Sequence, residues 1–438
     1  MKSPLFNVNQ TWLECIKCNN RADLLKERGF FCQKCGNLFD VCHDFSRIGN
    51  SSFLKKTFSN RMSDFSCNNE NWQQSGVWRY RELIMPHLPE QDIVSLAEGN
   101  VPIVKAGRNL SHWVGTNNLW LILEGMTPTG SFKDFGGTVL ISIAKAAGIN
   151  AVVCASTGDT SAMAAAYAAS AGMKCAVILP AGKITPVQLA QPLVHGAKVI
   201  LVPGPFDDCM KIVLELVEKY GAYPANSLNP ARIEGHQATA FQIAHFFNWE
   251  MPNWIVVPVG NGSNCSSVGK GIRTMKETGI LPHSSHCRIL GCQSEAACPL
   301  ALSFRSGIYE WEQYYMPKLV GETDATAARI GDPVSAKKVM REIFLSNGLM
   351  EIAAERDLRQ AVSVCGQDGI FVCPQTGIAL AGVRNAVQCE TISEDETIVV
   401  VSTATGLKFT DSAARNLQNN IINLDDCRAS SVAKVLQL

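Results

Sequence analysis

The chain has 438 residues, 46% of them hydrophobic and 18% charged, which is room for two or three domains around a large core. Its 39 basic and 39 acidic residues cancel, which argues against a nucleic-acid binder or a membrane-surface protein working through bulk charge. No apolar run of membrane-spanning length is present and the first ten residues hold no long apolar stretch, so neither a membrane helix nor a secretory signal is expected.

The first feature along the chain is Cys15, Cys18, Cys32 and Cys35, spaced C-x2-C-x13-C-x2-C. Two such knuckles can place four thiolates around one tetrahedral ion, so a structural zinc ion in a ribbon-like segment over 1–48 is expected. The alternative is a metal-free knuckle of reduced thiols. The other cysteines lie mostly singly in apolar segments, as at Cys154, Cys175 and Cys373. There a thiol packs as a small hydrophobe, which suits a reducing, cytoplasmic setting better than a disulfide scaffold.

Residues 46–80 are polar and rich in Asn and Ser, and read as a connector with some helix near Trp78–Leu83. From Leu119 an alternating rhythm begins. A strand at 119–124 leads through a polar turn into a helix at 133–147, closed by Gly148. A strand at Ala151–Ala155 runs through Ser156-Thr157-Gly158-Asp159-Thr160-Ser161 into an alanine-rich helix ending at Gly172. Strands at 174–179 and 197–203 alternate with helices at 186–194 and 206–220. A strand at 254–259 then meets a glycine turn and a helix at 266–278, and apolar strands follow near 288–292 and 397–402. This order predicts parallel sheets covered on both faces by helices.

Five segments carry chemistry, each at a strand-to-helix junction, where open α/β sheets bind ligands. Lys133 opens a helix after Thr127-Pro-Thr-Gly-Ser-Phe. An amine held there out of bulk water can lose its proton and attack an aldehyde. The bland alternative is a solvated lysine paired with Asp134. Gly136 and Gly137 are expected to leave room for a flat ring. Val259-Gly260-Asn261-Gly262-Ser263-Asn264 can cradle an anion on backbone N–H groups at a helix N-terminus, or be merely a tight turn. The 156–161 turn suits a carboxylate, or simple capping. Thr403, in Ser402-Thr-Ala-Thr-Gly-Leu-Lys408, can present a hydroxyl to a ring nitrogen. Arg232, in Asn226-Ser-Leu-Asn-Pro-Ala-Arg-Ile-Glu-Gly235, can hold a phosphate with its planar fork, or pair at the surface with Glu234.

Taken together these segments resemble the threonine synthase family, within the fold type II enzymes that use pyridoxal 5′-phosphate (PLP). The likeness is to the branch found in plants and some bacteria. It rests on Ser75-Gly-Val-Trp78, Asp92-Ile-Val-Ser95, Glu98-Gly-Asn100, Thr129-Gly-Ser-Phe-Lys-Asp134, Ser156–Ser161 and Asn226–Gly235. Ile330-Gly-Asp-Pro333, Cys373-Pro-Gln-Thr-Gly377 and Gly406-Leu-Lys-Phe409 continue it in family order.

The resemblance implies an α/β fold related to the tryptophan synthase β chain, with two parallel or mixed-sheet domains around a cleft. The larger would comprise 96–134 and 251–438 and the smaller, mobile one 135–250, after a helical connector at 49–95. It implies that Lys133 attaches PLP and shuttles protons. Gly260, Asn261, Gly262, Ser263 and Asn264 would wrap the cofactor phosphate. Asp159 would lie beside the ring hydroxyl, and Thr403 would face the pyridine nitrogen. Ser156, Thr157 and Thr160 would hold the substrate carboxylate. Asn226, Ser227 and Arg232 would take the substrate phosphate. The reaction implied is O-phospho-L-homoserine plus water to L-threonine plus phosphate; because no other strong base is evident in these motifs, the departing phosphate is expected to assist the water step. A homodimer and activation by S-adenosylmethionine belong to the same implication. Four positions depart from the usual pattern: Ile122, Ser263, Thr405 and Asp159. A side chain at 263 is tolerated only at negative φ, and a carboxylate at 159 repels a ring phenolate unless its charge is compensated. The rival functions are β-replacement or dehydration of another amino acid, such as phosphoserine, and a catalytically inactive paralogue.

Overall fold

The computed structural model describes residues 10–28, 30–63, 71–156, 158–181, 186–204, 206–307, 319–417, 421–426 and 428–438. Three sheets organise them. The N-terminal sheet has order β2-β1-β3, from β1 (Thr11–Cys15), β2 (Arg21–Ala22) and β3 (Phe39–His43). The four-stranded sheet contains β6 (Ala151–Cys154), β7 (Lys174–Pro180), β8 (Lys198–Val202) and β9 (Tyr223–Pro224), ordered β8-β7-β6-β9 and parallel throughout. The six-stranded sheet is built from β4 (Ile103–Lys105), β5 (Leu119–Leu123), β10 (Trp254–Pro258), β11 (Arg288–Ser294), β12 (Leu349–Ala353) and β13 (Ile398–Ser402). Its order is β12-β11-β10-β13-β5-β4, and only the β4–β5 edge pairing is antiparallel.

Strand composition explains the layering. Every residue of β10 and β13 is buried, and apart from the terminal Ser402 both read as apolar runs. Such strands need cover on both faces, and helices supply it. The edge strands β4 and β12 and the two-residue strand β9 carry too little pattern to be foreseen.

Six helices position the site: α1 (Lys133–Ala146), α2 (Asp159–Ser170), α3 (Ala231–His236), α4 (Ser263–Glu277), α5 (Ala336–Leu345) and α6 (Pro374–Gln388). α4 begins three residues earlier than the sequence predicts, because Gly262 at φ 87° turns the chain straight into it. Glycines let α1 and α3 touch. A Cβ on Gly235 would lie 1.8 Å from the Phe135 carbonyl oxygen. A Cβ on Gly136 would lie 2.6 Å from the His236 ring, and one on Gly137 2.3 Å from Met163. The space at Gly136 and Gly137 is therefore taken by helix packing. The expectation that these glycines make room for a flat ring is corrected.

The 49–95 segment is more ordered than its polarity implies. A helix over Ser51–Ser63 buries Leu54 and Phe58. Trp78 is buried and donates its indole N–H to Thr138 Oγ1 on α1 at 2.7 Å. Ser75 and Tyr167 both donate to the buried Glu98 carboxylate, at 2.6 and 3.0 Å. These bonds fasten the connector to α1 and α2.

Candidate active site

Lys133 is the first residue of α1, and the turn before it is held by Asp134. The Asp134 carboxylate accepts from Thr129 N at 2.7 Å and from Thr129 Oγ1 at 2.6 Å. Phe132 N donates to Thr403 O at 2.9 Å, which ties this turn to the end of β13. The Lys133–Asp134 surface pair therefore does not form; Asp134 is fully buried and faces Thr129. The Lys133 Nζ sits 3.9 Å from the Phe132 ring centroid. Burial, then the Arg232 charge, pushes its pKa down from 10.5 to about 7. A lysine in that state carries a substantial free-amine fraction at neutral pH and is a competent nucleophile.

One cavity gathers Lys133, Asp159, the whole Gly260–Asn264 loop and Thr403. Its other walls include Phe132, Ala327, Ala328 and Gln375. The loop joins β10 to α4, so backbone N–H groups and a helix N-terminus face the cavity together. A Cβ on Gly260 would come within 3.1 Å of Ala327 O and Ala328 Cα. Ser263 is absent from the positive-φ residues, so its side chain is accommodated without strain. Asn264 and Gln375 are buried; neither carboxamide makes a hydrogen bond of good geometry among the described residues, although Asn264 stands beside the Glu124 carboxyl. Buried polar atoms without partners are costly, and a polar ligand in this cavity would satisfy them. A ring aldehyde bearing a phosphate fits this donor set: an amine, an anion cradle, and polar groups along one wall.

Thr403 sits in a hydroxyl–thiol cluster. Its Oγ1 is 3.5 Å from Cys373 Sγ, which is 3.2 Å from Thr376 Oγ1, and Thr403 N donates to Thr376 Oγ1 at 3.2 Å. Asp159 pairs with Lys408, Nζ to Oδ1 2.7 Å. Thr405 accepts from Leu407 N at 3.3 Å and so caps the 3-10 turn Gly406–Lys408 that presents this ammonium. The departures at 159 and 405 thus act together. Ile122 is fully buried in the sheet core.

Among the described residues, those expected around the substrate lie outside that cavity's lining. Arg232 is fully buried on α3 and donates from Nη1 to Ala225 O at 3.0 Å. Its Nε and Nη2 have no partner among the described residues. Burial lowers its pKa to about 10, so it stays charged at neutral pH. It makes no ion pair with Glu234, which faces His43 and Lys270. Asn226 spends its amide on Ala155, accepting from N at 3.1 Å and donating to O at 2.9 Å. It thereby fixes Ala155, just past the end of β6, against the 226–235 segment. Ser156 Oγ accepts from Gly158 N at 3.2 Å. Thr160 is buried in the first turn of α2, and Ser227 is half-buried in the turn after β9. Thr157 lies outside the described residues.

Sequence reading missed Glu124, Gln375 and Lys408. Glu124 is fully buried at the end of β5 and accepts from Thr239 Oγ1. Burial raises its pKa to about 8, so it keeps its proton at neutral pH. His236 stays neutral, because burial and the nearby Arg232 and Lys133 charges all oppose protonation. The Glu124-Gly125 step and the lysine after Gly406-Leu407 were the available signals.

Comparison with known proteins places the chain in a family. Residues 94–404 match the family model described as pyridoxal-phosphate dependent enzyme. Threonine synthase of Methanocaldococcus jannaschii is 38% identical over 402 residues, covering 92% of this chain and 94% of that protein. Threonine synthase 2, chloroplastic, of Arabidopsis thaliana is 38% identical over 394 residues, covering 88% of this chain and 74% of that protein. The crystal structure of Escherichia coli threonine synthase shares the fold, with a TM-score of 0.70 at 19% identity over 94% of this chain and 93% of that one. The chain belongs to the threonine synthase family of fold type II, pyridoxal-phosphate dependent enzymes.

Proposed function

We propose that the protein converts O-phospho-L-homoserine and water to L-threonine and phosphate at the Lys133 cavity. The observation that carries the choice of substrate is Arg232. It is a buried guanidinium with two unpartnered nitrogens, close enough to Lys133 to depress its basicity. A buried fork of that kind calls for an anion, and phosphate matches it in charge and shape.

Lys133 is the attachment point of PLP, the Gly260–Asn264 loop holds the cofactor phosphate, and Asp159 and Thr403 flank its ring. Bound there, PLP supplies an electron sink for carbanions at the substrate α- and β-carbons. Ser156, Thr157 and Thr160 hold the substrate carboxylate, and Ser227 and Arg232 its phosphate, with Asn226 fixing the turn between the two sites. The Lys133 amine, close to neutrality in its basicity, takes the α-proton and then a β-proton. Lys408 keeps the Asp159 side of the ring electrically balanced.

The departing phosphate serves as the base for water addition. Support comes from the state of the other groups. Glu124 holds its proton, Asp134 is engaged by Thr129, Asp159 is paired with Lys408, and His236 is a very weak base in its buried setting. The segment 135–250 moves as a unit toward 96–134 and 251–438 to exclude water. A cytoplasmic homodimer responsive to S-adenosylmethionine completes the proposal. Buried free thiols support the reducing compartment; the dimer and the activator rest on the family resemblance.

The test is phosphate and threonine release from O-phospho-L-homoserine, run beside O-phospho-L-serine. Turnover confined to phosphoserine, or none with either substrate in PLP-loaded protein, would overturn the proposal.

A further inference from the structure

The N-terminal sheet carries four thiols that this chemistry does not use. Cys15 Sγ lies 3.4 Å from Cys35 Sγ, and Cys18 Sγ lies 3.5 Å from both Cys32 and Cys35. All four sulfurs fall within 4.8 Å of one another, and none is in a disulfide. Thiolates about 2.3 Å from a tetrahedral zinc ion stand about 3.8 Å apart. The cluster has that size.

The same sheet is fastened to the catalytic body by buried charges. β3 runs directly out of the second knuckle. His43 on β3 bonds Glu234 Oε2 at 3.1 Å, and its other ring nitrogen meets Thr11 Oγ1 on β1 at 3.0 Å. Glu234 follows Arg232 by two residues on α3. Lys270, on the α4 helix that begins at the anion loop, bonds the Glu234 carboxylate and also Val41 O at 2.6 Å. Phe30, between the two knuckles, packs edge-on against Tyr223 of β9 at 5.8 Å, three residues before Asn226.

We infer that the four cysteines bind a zinc-class divalent ion, and that the metal-organised sheet holds α3, with Arg232, in register for the substrate phosphate. The identity of that phosphate rests on the proposed function. A segment this short is too small to hold its fold by apolar burial alone and needs a staple. With the ion gone, β3 loosens. The buried Glu234 then loses His43, and the Val41 carbonyl loses its grip on Lys270. Glu234 keeps Lys270 and Gln237, so its charge stays paired, but the buried polar network that fixes α3 against the sheet is thinned, and α3 shifts.

The experiment uses full-length holoenzyme. Elemental analysis after dialysis should find about one zinc ion per chain. The Cys18→Ser/Cys35→Ser variant should lose it. Its 226–237 segment should exchange amide hydrogens faster, and KM for the phosphorylated substrate should rise about threefold or more, with the PLP absorption band retained. If that variant does not fold, Lys270→Met keeps all four thiols. It should retain zinc and still show faster exchange at 226–237 with a raised KM. Holoenzyme that neither contains nor takes up zinc overturns the metal site. Wild-type exchange at 226–237 in Lys270→Met, or in folded zinc-free protein, overturns the coupling. Zinc content and exchange need no turnover, so they report even if the substrate assignment fails.

Discussion

Lys408 Nζ stands 2.7 Å from Asp159 Oδ1, and the same ammonium donates to Thr129 O at 2.9 Å. One cation therefore ties the first turn of α2 to the loop that precedes Lys133. With PLP bound as proposed, Lys408 would compensate the Asp159 charge beside the ring phenolate. Lys408→Met should weaken PLP binding about tenfold, the equivalent of about 1.4 kcal/mol, in fluorescence titrations of the apo protein. Lys408→Arg should recover most of it. Unchanged affinity in the methionine variant would remove the pair from cofactor binding.

Arg232 should separate substrate binding from cofactor binding. Two hydrogen bonds from a charged group contribute about 1.5–3 kcal/mol each. Arg232→Gln should therefore raise KM for the phosphorylated substrate by about a hundredfold or more, with PLP still bound. It should also change a pH profile. Burial and the Arg232 charge hold Lys133 at about 7, and the free amine is the nucleophile. PLP uptake by apo protein should accelerate as pH rises through about 7. In Arg232→Gln the midpoint should move upward, because a cation that disfavours protonation is gone. A wild-type midpoint near that of a solvated lysine would contradict the burial argument.

Glu124 makes stability depend on pH. Burial moves its pKa from 4.5 in water to about 8 in the fold. Between those values the folded chain holds a proton that the unfolded chain releases, so stability falls as pH rises through that window. Glu124→Gln keeps the shape and removes the ionisation. Urea midpoints for the apo protein at pH 5.5 and 8, read as a difference between variant and wild type, should show a smaller loss at the higher pH for glutamine. Equal losses would mean that Glu124 is already ionised in the fold.

Gly235 tests the contact between α1 and α3. An alanine methyl there would overlap the Phe135 carbonyl oxygen, at 1.8 Å. The helices would have to part, moving Arg232 from Lys133. Gly235→Ala should destabilise by about 2–4 kcal/mol in thermal or urea unfolding. A melting temperature equal to wild type would show that the helices separate at little cost.

Much of the fold was legible because the central buried strands are apolar along nearly their whole length and the helices over 133–147 and 159–170 are followed by glycines. The runs Trp254–Pro258 and Ile398–Ser402 could be read directly. Strands β4, β9 and β12 could not, since they are short or at edges and depend on their neighbours for pairing. The 51–63 helix was hidden by polar composition, because only Leu54 and Phe58 anchor it. Among site residues, those on contiguous motifs were visible. Lys408 was within a quoted motif, yet its partner lies 249 positions away in sequence, and only folding makes the pair. Glu124 and Gln375 were missed for another reason: their significance is burial with polar atoms left unpartnered, Glu124 Oε2 and the Gln375 carboxamide, which no local pattern records. Gly136 and Gly137 were visible but misread, because the groups that fill their space come from α2 and α3.

The proposed chemistry turns on the amine at position 133. PLP-loaded protein reduced with borohydride, digested and mapped by mass spectrometry should carry the pyridoxyl group on Lys133 alone, with the label abolished in Lys133→Ala. A label on any other lysine, or none in protein that binds PLP, would contradict it.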